Sequence, residues 1–118
     1  MDGRRRLGDQ GERQAEAALA ADGLRILERN ARTRYGEIDL VCRGRDGYVF
    51  VEVKTRREGS FVSPEEAVGP RKVRRLSRLA LSWLALHGCR DAPWSLGVVA
   101  IVAGTGPPRL RYVRVDRI

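Results

Sequence analysis

Two short stretches of this chain carry the side chains best suited to chemistry. Gly36-Glu37-Ile38-Asp39 supplies carboxylates, and Val51-Glu52-Val53-Lys54 sets a third carboxylate two residues from an ammonium. Carboxylate oxygens are the hard ligands Mg²⁺ prefers, and a nearby cation can position a nucleophile or neutralise charge developing on a phosphate. Side by side, Asp39 and Glu52 could hold a divalent metal against a phosphodiester, with Lys54 next to it. The question is what would place them so.

Strand geometry supplies part of the answer. Side chains alternate along a strand, so Glu52 and Lys54 must share one face while Val51, Val53 and Thr55 share the other. In the preceding stretch, Glu37, Asp39 and Val41 share a face opposite Ile38, Leu40 and Cys42, which are the residues expected in the core. Adjacent strands lie about 4.8 Å apart, so Asp39 and Glu52 can reach one ion if the hairpin register brings their faces together. Tyr48 and Phe50 fall on the Glu52 face, making it apolar at one end and charged at the other, as a cleft wall would be. The plain alternative is an ordinary surface ion pair on a half-solvated sheet.

The surrounding elements follow from periodicity and breakers. Residues 7–22 read as a helix with Asp9 as N-cap, Glu12 as its capping-box partner and Gly23 as the stop. Strands are expected over residues 24–30, 37–43 and 48–55, the last two joined by the turn Gly44-Arg45-Asp46-Gly47. Ser63-Pro64-Glu65-Glu66 is a helix start, and Gly69-Pro70 interrupts it. A longer helix over residues 70–87 carries the stripe Val73, Leu76, Leu79, Ala80, Trp83 and Leu84, with Arg71, Arg74, Arg75, Arg78 and Ser82 opposite. Its His87 suits the role of partner to the helix C-terminal dipole. Residues 95–103 are nearly all apolar, as in a strand buried on both faces, and residues 110–115 alternate as a last, edge strand. The order αβββαβ plus one strand predicts an α/β fold, a mixed central sheet flanked by helices.

The chain's 118 residues suit a single domain, with residues 1–6 as a flexible basic arm. A formal charge of +8 points to a polyanionic partner, most simply nucleic acid. Of the 23 basic residues, 21 are Arg, which makes the two lysines, Lys54 and Lys72, conspicuous. Lys72 lies at the edge of the helix stripe, where it either snorkels to solvent or points into a cleft. Arg56, Arg57, Arg71, Arg74, Arg75 and Arg78 could contact phosphates, giving affinity without sequence preference. Aromatic residues are few and mark no stacking platform. No apolar run is long enough to span a bilayer and no secretory signal is evident, so a cytoplasmic protein is expected. Cys42 and Cys89 lack metal-site spacing and read as reduced thiols.

Asp39 followed thirteen positions later by Glu52-Val53-Lys54 resembles the signature of the PD-(D/E)XK nuclease superfamily, whose core has this restriction-endonuclease-like αβββαβ order. More narrowly, the chain resembles the YraN family of uncharacterised bacterial proteins. The matching stretches are Gly8-Asp9-Gln10-Gly11-Glu12 with Ala15, Leu27-Glu28-Arg29-Asn30, Gly36-Glu37-Ile38-Asp39-Leu40, Val49-Phe50-Val51-Glu52-Val53-Lys54-Thr55-Arg56, and Glu66-Ala67-Val68 followed by Lys72. That resemblance implies Mg²⁺ (or Mn²⁺) held by Asp39, Glu52 and the Val53 carbonyl, with Lys54 placing the attacking water. It also matches Glu12 to the helix-one acid of Holliday-junction-resolvase-like members, alongside its capping-box reading. Ile38 stands where the superfamily signature has Pro. The implied activity is metal-dependent hydrolysis of structured or damaged DNA, with a homodimer as one arrangement. A nucleic-acid-binding module that keeps the fold with little or no catalysis is the alternative.

Overall fold

A computed structural model describes residues 3–59 and 69–115 of the chain, with the backbone path alone for residues 3–10. The elements run α1 (Gly3–Ala21), β1 (Arg25–Thr33), β2 (Gly36–Gly44), β3 (Gly47–Arg57), α2 (Pro70–Leu86), β4 (Trp94–Ala103) and β5 (Arg109–Val115). This is the expected αβββαβ order with one strand added. The helix start at Ser63-Pro64-Glu65-Glu66 lies outside the described residues.

The five strands form one sheet in sequence order. β1, β2 and β3 pair antiparallel, β3 and β4 pair parallel through the α2 crossover, and β5 returns antiparallel on β4. β4, covered on both faces, is a nearly continuous apolar run, whereas β3 is apolar over Tyr48–Val51 and turns charged beyond it. Helix α2 buries Val73, Leu76, Leu79, Ala80, Trp83 and Leu84 on one face, against Ala31, Ile38, Val41, Phe50, Leu96 and Val98. Helix α1 covers the other, setting Ala15 and Leu19 against Leu40, Cys42, Val49, Val51, Val99 and Ile101. Its Gly11 lies close under Ile101; a Cβ there would sit 2.8 Å from the Ile101 Cδ1.

Three local expectations change. Helix α1 begins at Gly3 rather than residue 7, so Asp9 lies inside it and cannot be its N-cap. Residues 4–6, read as part of an arm, belong to this helix. The third change concerns Ile38, which was grouped with Leu40 and Cys42. It packs under α2, whereas Leu40 and Cys42 face α1, and Val41 is itself fully buried under α2.

The cause is visible in the β1–β2 ladder. Arg29 pairs with Leu40 and points to α1, where its guanidinium bonds Glu16, yet the next recorded pair, Ala31 with Ile38, faces α2. Both strands therefore switch faces together at Asn30 and Asp39. Asn30 absorbs the switch with φ 51°, a left-handed conformation that Asn tolerates better than most residues.

Candidate functional site

Asp39 sits where β2 and β3 part. Their ladder runs from Gly44 opposite Gly47 to Leu40 opposite Val51 and stops there. One step further in the same register, Asp39 would face Glu52. Instead, the Val53 N–H donates to Asp39 Oδ2 at 2.8 Å, so a carboxylate replaces the missing ladder bond. The N–H and C=O of one strand residue point to the same neighbour, so the Val53 carbonyl looks into this fork as well. β3 itself continues against β4 as far as Arg57 opposite Ala103.

Glu52 points to the α2 side and is gripped by cations. Arg75 Nη2 donates to Oε1 at 2.9 Å, Lys72 Nζ lies 2.9 Å from Oε2, and Lys54 Nζ lies 3.9 Å from Oε1. The chain's two lysines thus meet at one carboxylate. Charge proximity and hydrogen bonding are not equivalent here: despite the Lys72 ammonium nearby, Glu52 Oε2 is buried without a properly angled hydrogen bond. The apolar end of this face is formed by Tyr48 and Phe50, whose rings pack on Trp83. The same face is therefore a hydrophobic wall under the end of α2 and a charged one under its start.

Lys72 points into the cleft, with its side chain 18% exposed. Arg75 was placed on the outward helix face and belongs instead at the cleft. Three residues from Lys72, it flanks the buried stripe, and its long side chain reaches back over the edge to Glu52. Arg71, Arg74 and Arg78 are exposed, as expected. Arg57 is exposed as well, while Arg56 is half-buried with its Nε unpaired. His87 Nδ1 lies 2.9 Å from the Trp83 carbonyl, the helix-end role read from sequence.

Burial pushes the Asp39 carboxyl above the ordinary carboxylate range; the Val53 N–H opposes this, and the Glu52 charge adds to it. Lys54 is held below the usual lysine value, first by its contact with Lys72, while Glu52 opposes and partial burial reinforces. Asp39 and Lys54 are thus displaced toward their neutral forms.

Glu12 stands on the other side of the sheet. Freed from a capping role by the longer α1, it lines a cleft of about 140 Å³ with Glu16, Asn30, Asp39 and Val53. Asp39 borders this cleft and also the narrow one that holds Glu37 and Glu52. Glu12 and Glu52, however, lie on opposite faces. Among the described residues, no three carboxylate, Cys or His side chains gather into one metal-holding group. Sequence reading gave Asn30 no structural role, placing it at the end of the first strand and in a family-matching stretch, and it misassigned Arg75.

Residues 11–116 match the uncharacterised protein family UPF0102. The chain belongs to that family, which is the YraN family. A UPF0102 protein of Anaeromyxobacter dehalogenans is 49% identical over 94% of this chain and 83% of its own length. One from Syntrophomonas wolfei is 46% identical, covering 92% of this chain and 95% of its own length. One from Streptomyces griseus is 52% identical over 75% of this chain and 74% of its own. Among solved structures, Pyrococcus furiosus SfsA in complex with Ca²⁺ aligns at TM-score 0.38 and 17% identity, over 84% of this chain and 57% of that one. That likeness is too distant to bear on the site. No helix among the described residues is long and apolar enough to cross a membrane. What this UPF0102 chain brings together is a forked strand pair holding Asp39, and a Glu52 to which both of its lysines converge.

Proposed function

We propose that this UPF0102 chain is a metal-dependent nuclease of the PD-(D/E)XK kind, acting on structured or damaged DNA. The observation that carries the reading is the convergence of Glu52, Lys54 and Lys72 beside the fork occupied by Asp39. A structural ion pair needs one lysine; two on one carboxylate, with a desolvated second carboxylate across the strand gap, are costly unless used.

The residues present fit a hard divalent cation such as Mg²⁺ or Mn²⁺. Asp39 holds a carboxylate that burial disfavours, an oxygen donor that gains from a cation, and Glu52 Oε2, though 2.9 Å from the Lys72 ammonium, makes no well-angled hydrogen bond and keeps a lone pair to offer. Asp39, Glu52 and the Val53 carbonyl would hold it, with Glu12 reaching the fork from the α1 side. When bound, the ion would stabilise charge building on the phosphate as a Lewis acid. Lys54, beside Glu52, would orient the attacking water and steady the charge that develops on the phosphate. Lys72 and Arg75 would exchange part of their grip on Glu52 for the non-bridging phosphate oxygens, and Arg71 and Arg74 would hold the flanking backbone.

A second reading has its own observation. Glu52 is already neutralised by Lys72 and Arg75, and Glu12 lies on the opposite face, which suits a nucleic-acid-binding protein that keeps the fold without cleaving. Incubating the protein with branched, flapped and single-stranded DNA in Mg²⁺ or Mn²⁺ separates the two. Scission that falls about 10²-fold or more in Asp39→Ala, Glu52→Ala and Lys54→Ala supports the enzyme. Intact substrates with either metal, with binding retained, leave the binding module.

A further inference from the structure

An exposed tyrosine at a hairpin tip lies outside all of this chemistry. Tyr35 is 53% exposed, yet its ring is flanked by two guanidiniums, Arg34 at 5.3 Å and Arg78 at 5.8 Å from the ring centre. An exposed ring set between two guanidiniums offers a flat face in a cationic setting, which suits a partner that is both flat and anionic.

The tip is held rigidly. Thr33 pairs with Gly36 across the two-residue turn; the Thr33 hydroxyl donates to the Gly36 carbonyl at 2.9 Å and accepts the Tyr35 N–H at 3.1 Å. Gly36, at φ 140°, lies near enough to Leu79 of α2 that an added Cβ would stand 3.4 Å from it. The turn is therefore docked on α2, and between them runs a groove of about 670 Å³ lined by Tyr35, Leu81, Arg34, Arg74, Arg78 and Arg90 among others. No acidic side chain among the described residues lines it. Among the described residues none of these four arginines is ion-paired, whereas Arg29, Arg75, Arg109 and Arg114 all are.

We infer that this groove binds an unpaired nucleotide, its base stacked on Tyr35 and its phosphates held by Arg34, Arg74 and Arg78. Charge complementarity points to the class of ligand, since four guanidiniums with no carboxylate partner among the described residues call for a polyanion. The aromatic ring selects within that class: a base stacks on Tyr only when it is not already stacked between its neighbours in a duplex. Position matters too. Arg78 lies three residues beyond Arg75, about 4.5 Å along the helix axis, so the platform lies one turn from the residue that grips Glu52. A strand that lays a phosphate at the fork would set a neighbouring nucleotide at Tyr35. The inference rests on the nuclease-type reading and sharpens it toward DNA with flaps, gaps or branch points.

The test uses the full chain in EDTA, so that cleavage plays no part. Two fluorescent DNA probes are compared by anisotropy: a fully paired duplex, and the same duplex with a short unpaired flap carrying 2-aminopurine. Wild type is expected to bind the flapped probe more tightly and to quench the 2-aminopurine. Tyr35→Ala should lose roughly tenfold on the flapped probe and abolish quenching, with paired-duplex binding unchanged, and Tyr35→Trp should restore both. Equal losses on both probes, or none, overturn the platform while leaving the nuclease-type reading standing. If wild type binds neither probe, the platform falls, while the nuclease-type reading is decided by its own cleavage test. Tyr35-dependent binding of poly-glutamate as tight as that of the flap would assign the groove to an acidic protein partner instead.

Discussion

Asp39 holds two roles that pull in opposite directions. As a fork residue it replaces a ladder bond by accepting the Val53 N–H; as a charge it is desolvated and faces Glu52. Its carboxyl is raised above the ordinary value, so folding favours the protonated form. That contribution is complete below the usual aspartate range and is lost as pH rises through the raised value, so at neutral pH the ionised group costs stability. Asp39→Asn keeps an oxygen for Val53 and removes the charge. The variant is expected to melt a few degrees higher than wild type at pH 7 in EDTA, the gain shrinking near pH 3, while losing cleavage. A lower Tm at pH 7 would show that the negative charge itself supports the fork. Glu52 is the opposite case, a carboxylate compensated by three cations, whose removal would leave Lys54, Lys72 and Arg75 facing one another.

Elements, not single residues, create the fork. β3 is committed to β4 from Tyr48 to Arg57, while β2 follows β1, and the two pairs separate where Asn30 turns left-handed. The far end of β3 is fixed differently. Tyr48 N–H donates to the Pro93 carbonyl at 3.0 Å, and Gly47, at φ 141°, lies so close that an added Cβ would be 2.3 Å from that same oxygen. No L side chain fits without moving backbone. Gly47→Ala should therefore cost about 2 kcal/mol, close to 10 °C in Tm for a domain of this size, with DNA affinity of the remaining folded protein unchanged. Thermal melts and binding at low temperature would check both halves. A loss of affinity in the folded variant would mean that the β2–β3 turn communicates with the fork.

At the scale of the whole molecule, the charge of +8 is not spread evenly in its consequences. Arg29, Arg109 and Arg114 are spent on Glu16, Glu58 and Asp22, whereas Arg71, Arg74 and Arg78 stand exposed along α2. Counterion release makes log affinity fall linearly with log salt, by roughly one unit of slope per phosphate contacted. Alanine at Arg71 or Arg74 should lower that slope by about 1 each, while Arg109→Ala should leave it alone. Anisotropy titrations at several KCl concentrations would measure it. Equal slopes for all three variants would place the DNA away from α2.

Local pattern by itself determined the order of elements, the stripe of α2, the buried run of β4 and the shared face of Glu52 and Lys54. These depend on periods of 3.6 and 2 that each segment carries in its own residues. It also marked Asp39, Lys54 and Lys72 as candidates. Tertiary structure decided the rest. Whether Lys72 snorkels or turns inward depends on a carboxylate twenty residues away, and Arg75 changes face because its long side chain crosses the edge of a stripe. Ile38 leaves the face of Leu40 because a left-handed Asn30 on the neighbouring strand resets the alternation. Tyr35 gave no local sign of its setting, since one of its two arginines arrives from a helix more than forty positions on. Periodicity reports what a residue does relative to its own element; a site is made where elements meet, and only the folded chain brings them together.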